Sequence, residues 1–474
     1  MMPALTSGND NVALDIGALQ DNTTGSDNIA SGASSLVSNT TGSDNLASGL
    51  FALYSNTTGS FNVAIGRSAL EDNNGSDNVA SGFEALQANT TGFNNLASGT
   101  EALASNTTGV DNLASGVDAL QANTTGSENL ASGTEALASN TTGSENLASG
   151  NGALRSNNGS DNVATGSSAL FRNTKGDDNV ASGFQALYSN TTGSDNLASG
   201  LQALFGNTTG HDNLASGTEA LFSNTTGTAN VASGSEALAL NTTGHDNLAS
   251  GFHALYASNG SFNVGSGTNA LAHNTSGSDN YASGPYALYS NTTGNYNVAS
   301  GYQALRSNAT GVSNVADGVN ALYHDTGGTN TALGTNALYE STTGASNVAI
   351  GNGAARNLTT GSNNIEISNT GVAAEAGKIR IGTPGTQTAA FLAGVSGVTI
   401  PGPTKAVVVN SSGQLGTAPA GSAPTAQAKP GSSADPALTR RVDSQAAQLR
   451  HQAAQLRRLT AQLHAMSALL HSHR

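Results

Sequence analysis

The chain has 474 residues and a mass of 46.9 kDa, enough for about three average domains. Only 10% of its residues are charged and 59 are glycine, whereas an ordinary globular domain has about 25% charged residues. It has no cysteine, which excludes disulfides, iron–sulfur clusters and thiolate zinc sites. The formal charge of −15 disfavours broad nucleic-acid binding, because a phosphate backbone needs a concentrated positive surface.

The N-terminal residues 1–10 are interpreted as a cap on the first coil of a repeat. They lack the basic segment and apolar run of a secretory signal, so no signal peptide is visible. Nowhere does an apolar run approach the roughly 18 to 20 residues that span a bilayer, and we therefore expect no transmembrane segment.

Residues 11–367 are a tandem repeat. An Asn followed in most units by Val, Leu or Ile and then Ala recurs 22 times between Asn11 and Asn364. The step is 17 residues, shortened to 16 in four corners such as Asp72–Gly75. With the Asn as position 0, the unit reads Asn, apolar, Ala, Ser, Gly, two variable residues, Ala, Leu, two variable residues and Asn-Thr-Thr-Gly.

This frame predicts an all-β parallel β-roll or solenoid of about 22 coils of 16–17 residues. Segments of four to six residues between Gly and Asn breakers are too short for stable helices but suit strands. In a solenoid, each coil bonds in register to the next, and equal positions form columns about 4.8 Å apart. We expect the apolar residues at position 1 and Leu at position 8 to fill the interior, and Gly at position 4 to permit a positive φ or a close approach.

Two units carry a resemblance to a known family. The segments Asn62–Ala69 and Asn347–Ala354 contain Val-Ala-Ile-Gly-x-x-Ala, which resembles the signature of YadA-like trimeric autotransporter heads. The resemblance implies left-handed parallel β-rolls with three chains side by side, and adhesion as the function. In most units Ser replaces the Ile at position 3, and because a buried hydroxyl needs a partner, we expect position 3 to lie near an inter-chain contact.

The repeat gives way to a different composition after residue 367. Residues 368–416 are predicted to form a β-rich connector, with strands in Lys378–Gly382, Thr386–Phe391 and Ala406–Val409. The segment Ile379–Gly416 resembles the connector of bacterial and phage tail-fibre-like proteins.

The C-terminal residues divide into two parts. Residues 417–436 are rich in Pro, Ala, Gly and Ser, which predicts a flexible linker. Residues 437–474 contain a seven-residue duplication with Leu at heptad spacing, which predicts an α-helical coiled coil.

Aromatic residues, only 4% of the chain, collect at position 9 of the unit. Such a stripe could bind sugar rings or another apolar surface, but stacking between coils is at least as natural, and both interpretations stay open. The possible binding stripe consists of Phe171, Tyr188, Phe205, Phe222, Tyr256, Tyr289, Tyr323 and Tyr339.

Asn-Thr-Thr matches the N-glycosylation pattern, but turn and ladder bonding by Asn and Thr is the favoured interpretation. Acidic residues precede many unit Asn residues, yet the Gly-Gly-x-Gly-x-Asp spacing of calcium-binding rolls is missing. No P-loop, HExxH or dinucleotide fingerprint occurs. We therefore predict no enzyme, no cofactor and no metal.

The sequence as a whole predicts a non-enzymatic trimeric fibre, an adhesin-like head or stalk that presents a repetitive surface for attachment. Its partners would be copies of itself and a host surface protein or glycan, at a cell surface, outside the cell or on a virion. A phage or phage-derived tail fibre component is the alternative. Ice binding by Thr pairs such as Thr40 and Thr41 is a third hypothesis.

Overall fold

The structure is a computed structural model that describes residues 6–392 and 407–417. The chain divides into two compact units, Met1–Ala389 and Ala390–Arg474. Over the described ranges the first unit contains short parallel strands joined by turns, the second contains a two-stranded hairpin, and neither contains an α-helix. Accordingly, these ranges hold no apolar helix of membrane-spanning length.

A single sheet of three-residue strands runs through the first unit. Each strand of the repeat occupies positions 1–3 of its coil, and strands of successive coils pair in parallel, as in the register Leu96↔Leu113 and Ser98↔Ser115. This confirms a parallel β-solenoid of about 22 coils. The strands are Val12–Leu14 (β1), Ile29–Ser31 (β2), Leu46–Ser48 (β3), Val63–Ile65 (β4), Val79–Ser81 (β5), Leu96–Ser98 (β6), Leu113–Ser115 (β7), Leu130–Ser132 (β8), Leu147–Ser149 (β9), Val163–Thr165 (β10), Val180–Ser182 (β11), Leu197–Ser199 (β12), Leu214–Ser216 (β13), Val231–Ser233 (β14), Leu248–Ser250 (β15), Val264–Ser266 (β16), Tyr281–Ser283 (β17), Val298–Ser300 (β18), Val315–Asp317 (β19), Thr331–Leu333 (β20), Val348–Ile350 (β21), Ile365–Ile367 (β22) and Ile379–Ile381 (β23).

The interior is built from Ala at positions 2 and 7 and Leu at position 8. These residues form one continuous buried cluster along the solenoid, so the prediction for the Leu column is confirmed. Leu120 is typical, because it is fully buried although its φ of 53° is unfavourable for a residue with a side chain. Burial of apolar surface in every coil offsets that local cost.

The prediction that position 1 also fills the interior is wrong. Leu113 is 36% exposed, whereas its neighbour Ala114 is fully buried. Successive side chains of a strand point to opposite faces, so a three-residue strand buries either its middle residue or its two ends. The inner space suits only a small middle residue: at Gly265, which replaces the usual Ala, an added Cβ would lie 3.1 Å from Leu255 Cγ of the preceding coil.

Glycine is required at two corners of the coil for different reasons. At position 4, Gly133 has a φ of 137°, and an added Cβ would lie 2.6 Å from the carbonyl oxygen of Gly150, which confirms the expectation for that corner. At position 14, Gly126 has no unusual φ, but an added Cβ would lie 2.3 Å from the Gly143 oxygen. Close stacking of the coils sets this second glycine column.

Two of the three strands predicted between residues 368 and 416 are present. Strand β23 extends the solenoid sheet by pairing with β22, and Val407–Val409 (β24) forms an antiparallel hairpin with Leu415–Thr417 (β25) in the second unit. The predicted strand Thr386–Phe391 is wrong, because in the described ranges this segment has no strand partner and a strand depends on its neighbours for stability. The linker from residue 418 onward and the coiled coil at 437–474 lie outside the described residues.

Candidate interaction surface

The outer face of the solenoid strands carries a continuous apolar column. It consists of the position-1 residues of β1–β22, whose side chains are half-buried to exposed in every coil and apolar in all but Thr331. Twenty-one steps of about 4.8 Å make this column on the order of 100 Å long. The exposed members of the apolar column are Val12, Ile29, Val79, Leu96, Leu113, Leu130, Leu147, Val180, Leu197, Leu248, Tyr281, Val298 and Ile365.

A serine column runs beside it on the same face, at position 3. Ser81 and Ser98 are typical exposed members, and the small side chain leaves this part of the face open to close approach. Near both ends the column becomes aliphatic, with Leu14 58% exposed and Ile350 39% exposed. The outer face is therefore more apolar at its ends than at its centre.

A third column lies at the residue just before the unit Asn, which is Asp or Glu in 13 of the 22 coils. In the seven consecutive coils between Asp111 and Asp212 this residue is always Asp or Glu. Its backbone is left-handed, as in Glu128 with a φ of 57°. The coils between Asp111 and Asp212 therefore carry an unbroken row of negative charge at this position. The acidic column consists of Asp10, Asp27, Asp44, Asp77, Asp111, Glu128, Glu145, Asp161, Asp178, Asp195, Asp212, Asp246 and Asp279.

Beneath this face, the unit Asn residues form a buried hydrogen-bonded ladder at position 0. Asn129 Nδ2 donates to Asn112 Oδ1 at 3.1 Å and to the Gly143 oxygen at 2.9 Å. Its Oδ1 accepts from the backbone N–H of Asn146 at 3.1 Å and from Asn146 Nδ2 at 3.0 Å. Each rung thus satisfies its own polar groups and fixes the register of the next coil.

A second asparagine ladder runs at position 11, the Asn of Asn-Thr-Thr. Asn123 is fully buried, and its Nδ2 donates to Asn106 Oδ1 at 2.8 Å and to the Gly126 oxygen at 2.9 Å. Both hydrogens of this amide nitrogen, the atom to which an N-linked glycan would be attached, are therefore donated in hydrogen bonds. The ladder interpretation of Asn-Thr-Thr is confirmed for this coil, and the folded chain does not offer this amide for N-glycosylation.

The two Thr residues after that Asn differ in their environments. Thr40 Oγ1 donates to the Thr57 carbonyl at 2.9 Å, whereas Thr41 is exposed. Only one of the two hydroxyl columns therefore faces outward without an internal bond in these coils. For an ice-binding face built from Thr pairs, only the second hydroxyl of each such pair would remain without an internal bond.

The structure brings the aromatic stripe into one column but in separate stacks. Phe171, Tyr188, Phe205 and Phe222 stack in succession, with ring centroids 5.2, 5.2 and 5.1 Å apart and planes within 9°. Arg155 lies over the Phe171 ring at 5.5 Å. The ring faces of this stack are thus largely occupied by one another, and a ligand would meet their edges.

The remaining stripe residues do not join that stack. Tyr323 and Tyr339 stack on each other at 5.2 Å. Tyr256 packs against His253 at 4.9 Å and Tyr289 against His273 at 4.5 Å.

Two buried carboxyl groups were missed by the sequence analysis. Asp325 replaces Asn at position 11, and Glu366 replaces Ala at position 2; both are fully buried. Burial raises the pKa of Asp325 to about 6, and burial together with the nearby Glu375 raises the pKa of Glu366 to about 7. The sequence carries a signal for both residues, because each places a charged side chain at a position where the repeat usually has Asn or Ala.

Within the described ranges, no three His, Asp or Glu side chains converge in a way that could hold a metal ion. No known protein-family model matches the chain, and no curated protein matches it at a significant level.

Proposed function

We propose that this chain is a non-enzymatic fibre protein that assembles as a homotrimer through the outer faces of its strands and presents its remaining surface for attachment. The observation that carries the proposal is the apolar column. Soluble monomers rarely expose a continuous apolar patch of more than a few hundred Å², and a stripe on the order of 100 Å long calls for a covering partner.

A second copy of the chain is the occupant that suits this column best. Each copy offers an apolar column of the same length and the same spacing between coils, so parallel copies match along their whole length. The serine column allows the backbones to approach closely beside it. The Val-Ala-Ile-Gly segments, which resemble those of YadA-like trimeric heads, support three chains around a common axis.

Attachment would use the surfaces that face away from this contact. The aromatic column at position 9 and the exposed apolar residues after the position-4 glycine, such as Phe184 and Leu201, recur along the rod. Weak contacts repeated at each coil of three chains would add up through multivalency. The ligand would be a host surface protein or a glycan.

Cysteine cross-linking tests the proposed contact cleanly, because the natural chain has no cysteine. Leu113→Cys in the apolar column should give covalent dimers under mild oxidation, since copies related by a central axis place these residues together. Thr125→Cys, at an exposed corner of the same coil, is the matched control and should remain uncross-linked. Equal cross-linking of the two variants would contradict the proposed interface.

A further inference from the structure

The buried Ala column at position 2 ends in two charged residues. Glu366 occupies this position in β22, in register with Ala349 of β21 and Arg380 of β23. The Glu366 side chain is 1% exposed. Its two carboxyl oxygens have no hydrogen-bond partner among the described residues, which is costly for a group removed from water.

The groups around Glu366 neutralise its charge only in part. On one side β21 contributes only the uncharged Ala349, and on the other the loop after β22 contributes Glu375 while β23 contributes Arg380. Arg380 is committed to Glu375, because its Nε donates to Oε1 at 2.8 Å and its Nη2 to Oε2 at 2.6 Å. Its Nε lies 3.7 Å from Glu366 Oε1, too far for a hydrogen bond. Two carboxyl groups therefore share one guanidinium.

We propose that Glu366, Glu375 and Arg380 form a proton-operated closure at the C-terminal end of the solenoid. When Glu366 carries a proton, it donates a hydrogen bond to Glu375, the cluster is neutral overall, and the last coil stays packed on β22. When the proton leaves, a second negative charge is buried beside Glu375. The segment from residue 368 to β23 then opens so that Glu366 reaches water.

The direction of the pH dependence follows from linkage. Burial and Glu375 raise the pKa of Glu366 from 4.5 to about 7, while Arg380 lowers the pKa of Glu375. In the open state Glu366 has its ordinary pKa, so opening releases a proton between pH 4.5 and about 7. The closed end is fully stable below that window, weakens as the pH rises through it and changes no further above it.

Hydrogen exchange of the full-length protein, measured by mass spectrometry from pH 5 to pH 8, tests this closure. After correction for intrinsic exchange rates, the opening constant for residues 365–381 should rise by up to about tenfold per pH unit between pH 5 and 7, and then level off. Amides of the central coils around β6–β8 serve as the internal reference and should not show this rise.

The variants separate the closure from general stability. Glu366→Gln, a neutral side chain of the same shape, should keep the end closed and remove the pH dependence, and Glu366→Ala should also remove it. Asp325→Asn, at the other buried carboxyl group, should leave the dependence at residues 365–381 as in the natural chain. A pH-independent natural chain, a Glu366→Gln variant that retains the dependence, or one that is open at every pH would overturn the proposal.

Discussion

Ser341 Oγ donates a hydrogen bond of 2.8 Å to Asp325 Oδ1 within the second asparagine ladder. Two consecutive coils thus replace ladder amides by a carboxyl group and a hydroxyl group. Asn330 Nδ2 also donates to Asp325, at 3.1 Å. These bonds favour the ionised carboxylate, but complete burial outweighs them and raises the pKa of Asp325 from 3.8 to about 6.

Asp325→Asn should therefore stabilise its coil at neutral pH. Ionisation of the buried carboxyl group destabilises the coil, and this destabilisation grows as the pH rises from about 3.8 to about 6. At pH 7 the variant should raise the local opening free energy by about 3 kcal/mol, because the shift from 3.8 to about 6 is about two pKa units, and well below pH 3.8 the difference should vanish. Hydrogen exchange of residues 314–341 measures it, with the exposed Asp317→Asn as control. Equal local opening free energies for Asp325→Asn and the natural chain at pH 7 would contradict the raised pKa of Asp325.

The position-0 ladder should be the main polar determinant of coil stacking. Asn129→Ala removes two donated bonds and leaves the partners on Asn112 and Asn146 without their bonds. We expect a loss of about 3 kcal/mol in local stability, from several unmade buried hydrogen bonds. Thermal unfolding followed by circular dichroism compares it with Thr125→Ala at an exposed corner, which should behave as the natural chain. Equal unfolding midpoints would show that the ladder contributes little.

Close packing at the position-14 glycine predicts a strong effect of a single methyl group. In Gly126→Ala the new Cβ would lie 2.3 Å from the Gly143 carbonyl oxygen, so the coils must separate. Gly353→Ala meets nothing within 4 Å, although its φ of 65° carries the usual cost for a side chain. The expected result is a loss of more than about 3 kcal/mol for the first and about 1 kcal/mol for the second. Proteolytic susceptibility of both variants measures the contrast, and a reversed order would argue against stacked backbones at this corner.

Charges placed in the apolar column should block assembly without unfolding the coil. Leu113→Asp with Leu130→Asp puts two carboxylates per chain on the proposed contact, while the residues of the solenoid interior stay unchanged. Size-exclusion chromatography with light scattering should show a smaller particle with unchanged circular dichroism. Val117→Asp with Leu201→Asp, two equally exposed apolar sites after the position-4 glycine, should keep the assembly. Loss of assembly in both pairs would point to a general effect of charge.

The repeat period made the fold predictable, because a fixed 17-residue frame with glycine corners admits few alternatives to stacked coils. Which side chains of each strand point inward was not predicted correctly. Position 1 carries the larger apolar residues, and hydrophobicity alone assigns them to the interior. Size was the better indicator: position 2 is Ala in nearly every unit, and Gly265 shows that the space there is narrow. The buried Glu366 was missed since it lies where the repeat fades.

The proposed function depends on association of three chains along their apolar columns. Sedimentation equilibrium of the purified full-length protein at micromolar concentrations tests it directly. The measurement should give a mass of three 46.9 kDa chains that does not fall on dilution. A mass of one chain over the same concentrations would contradict the proposed assembly and leave the apolar column to another partner.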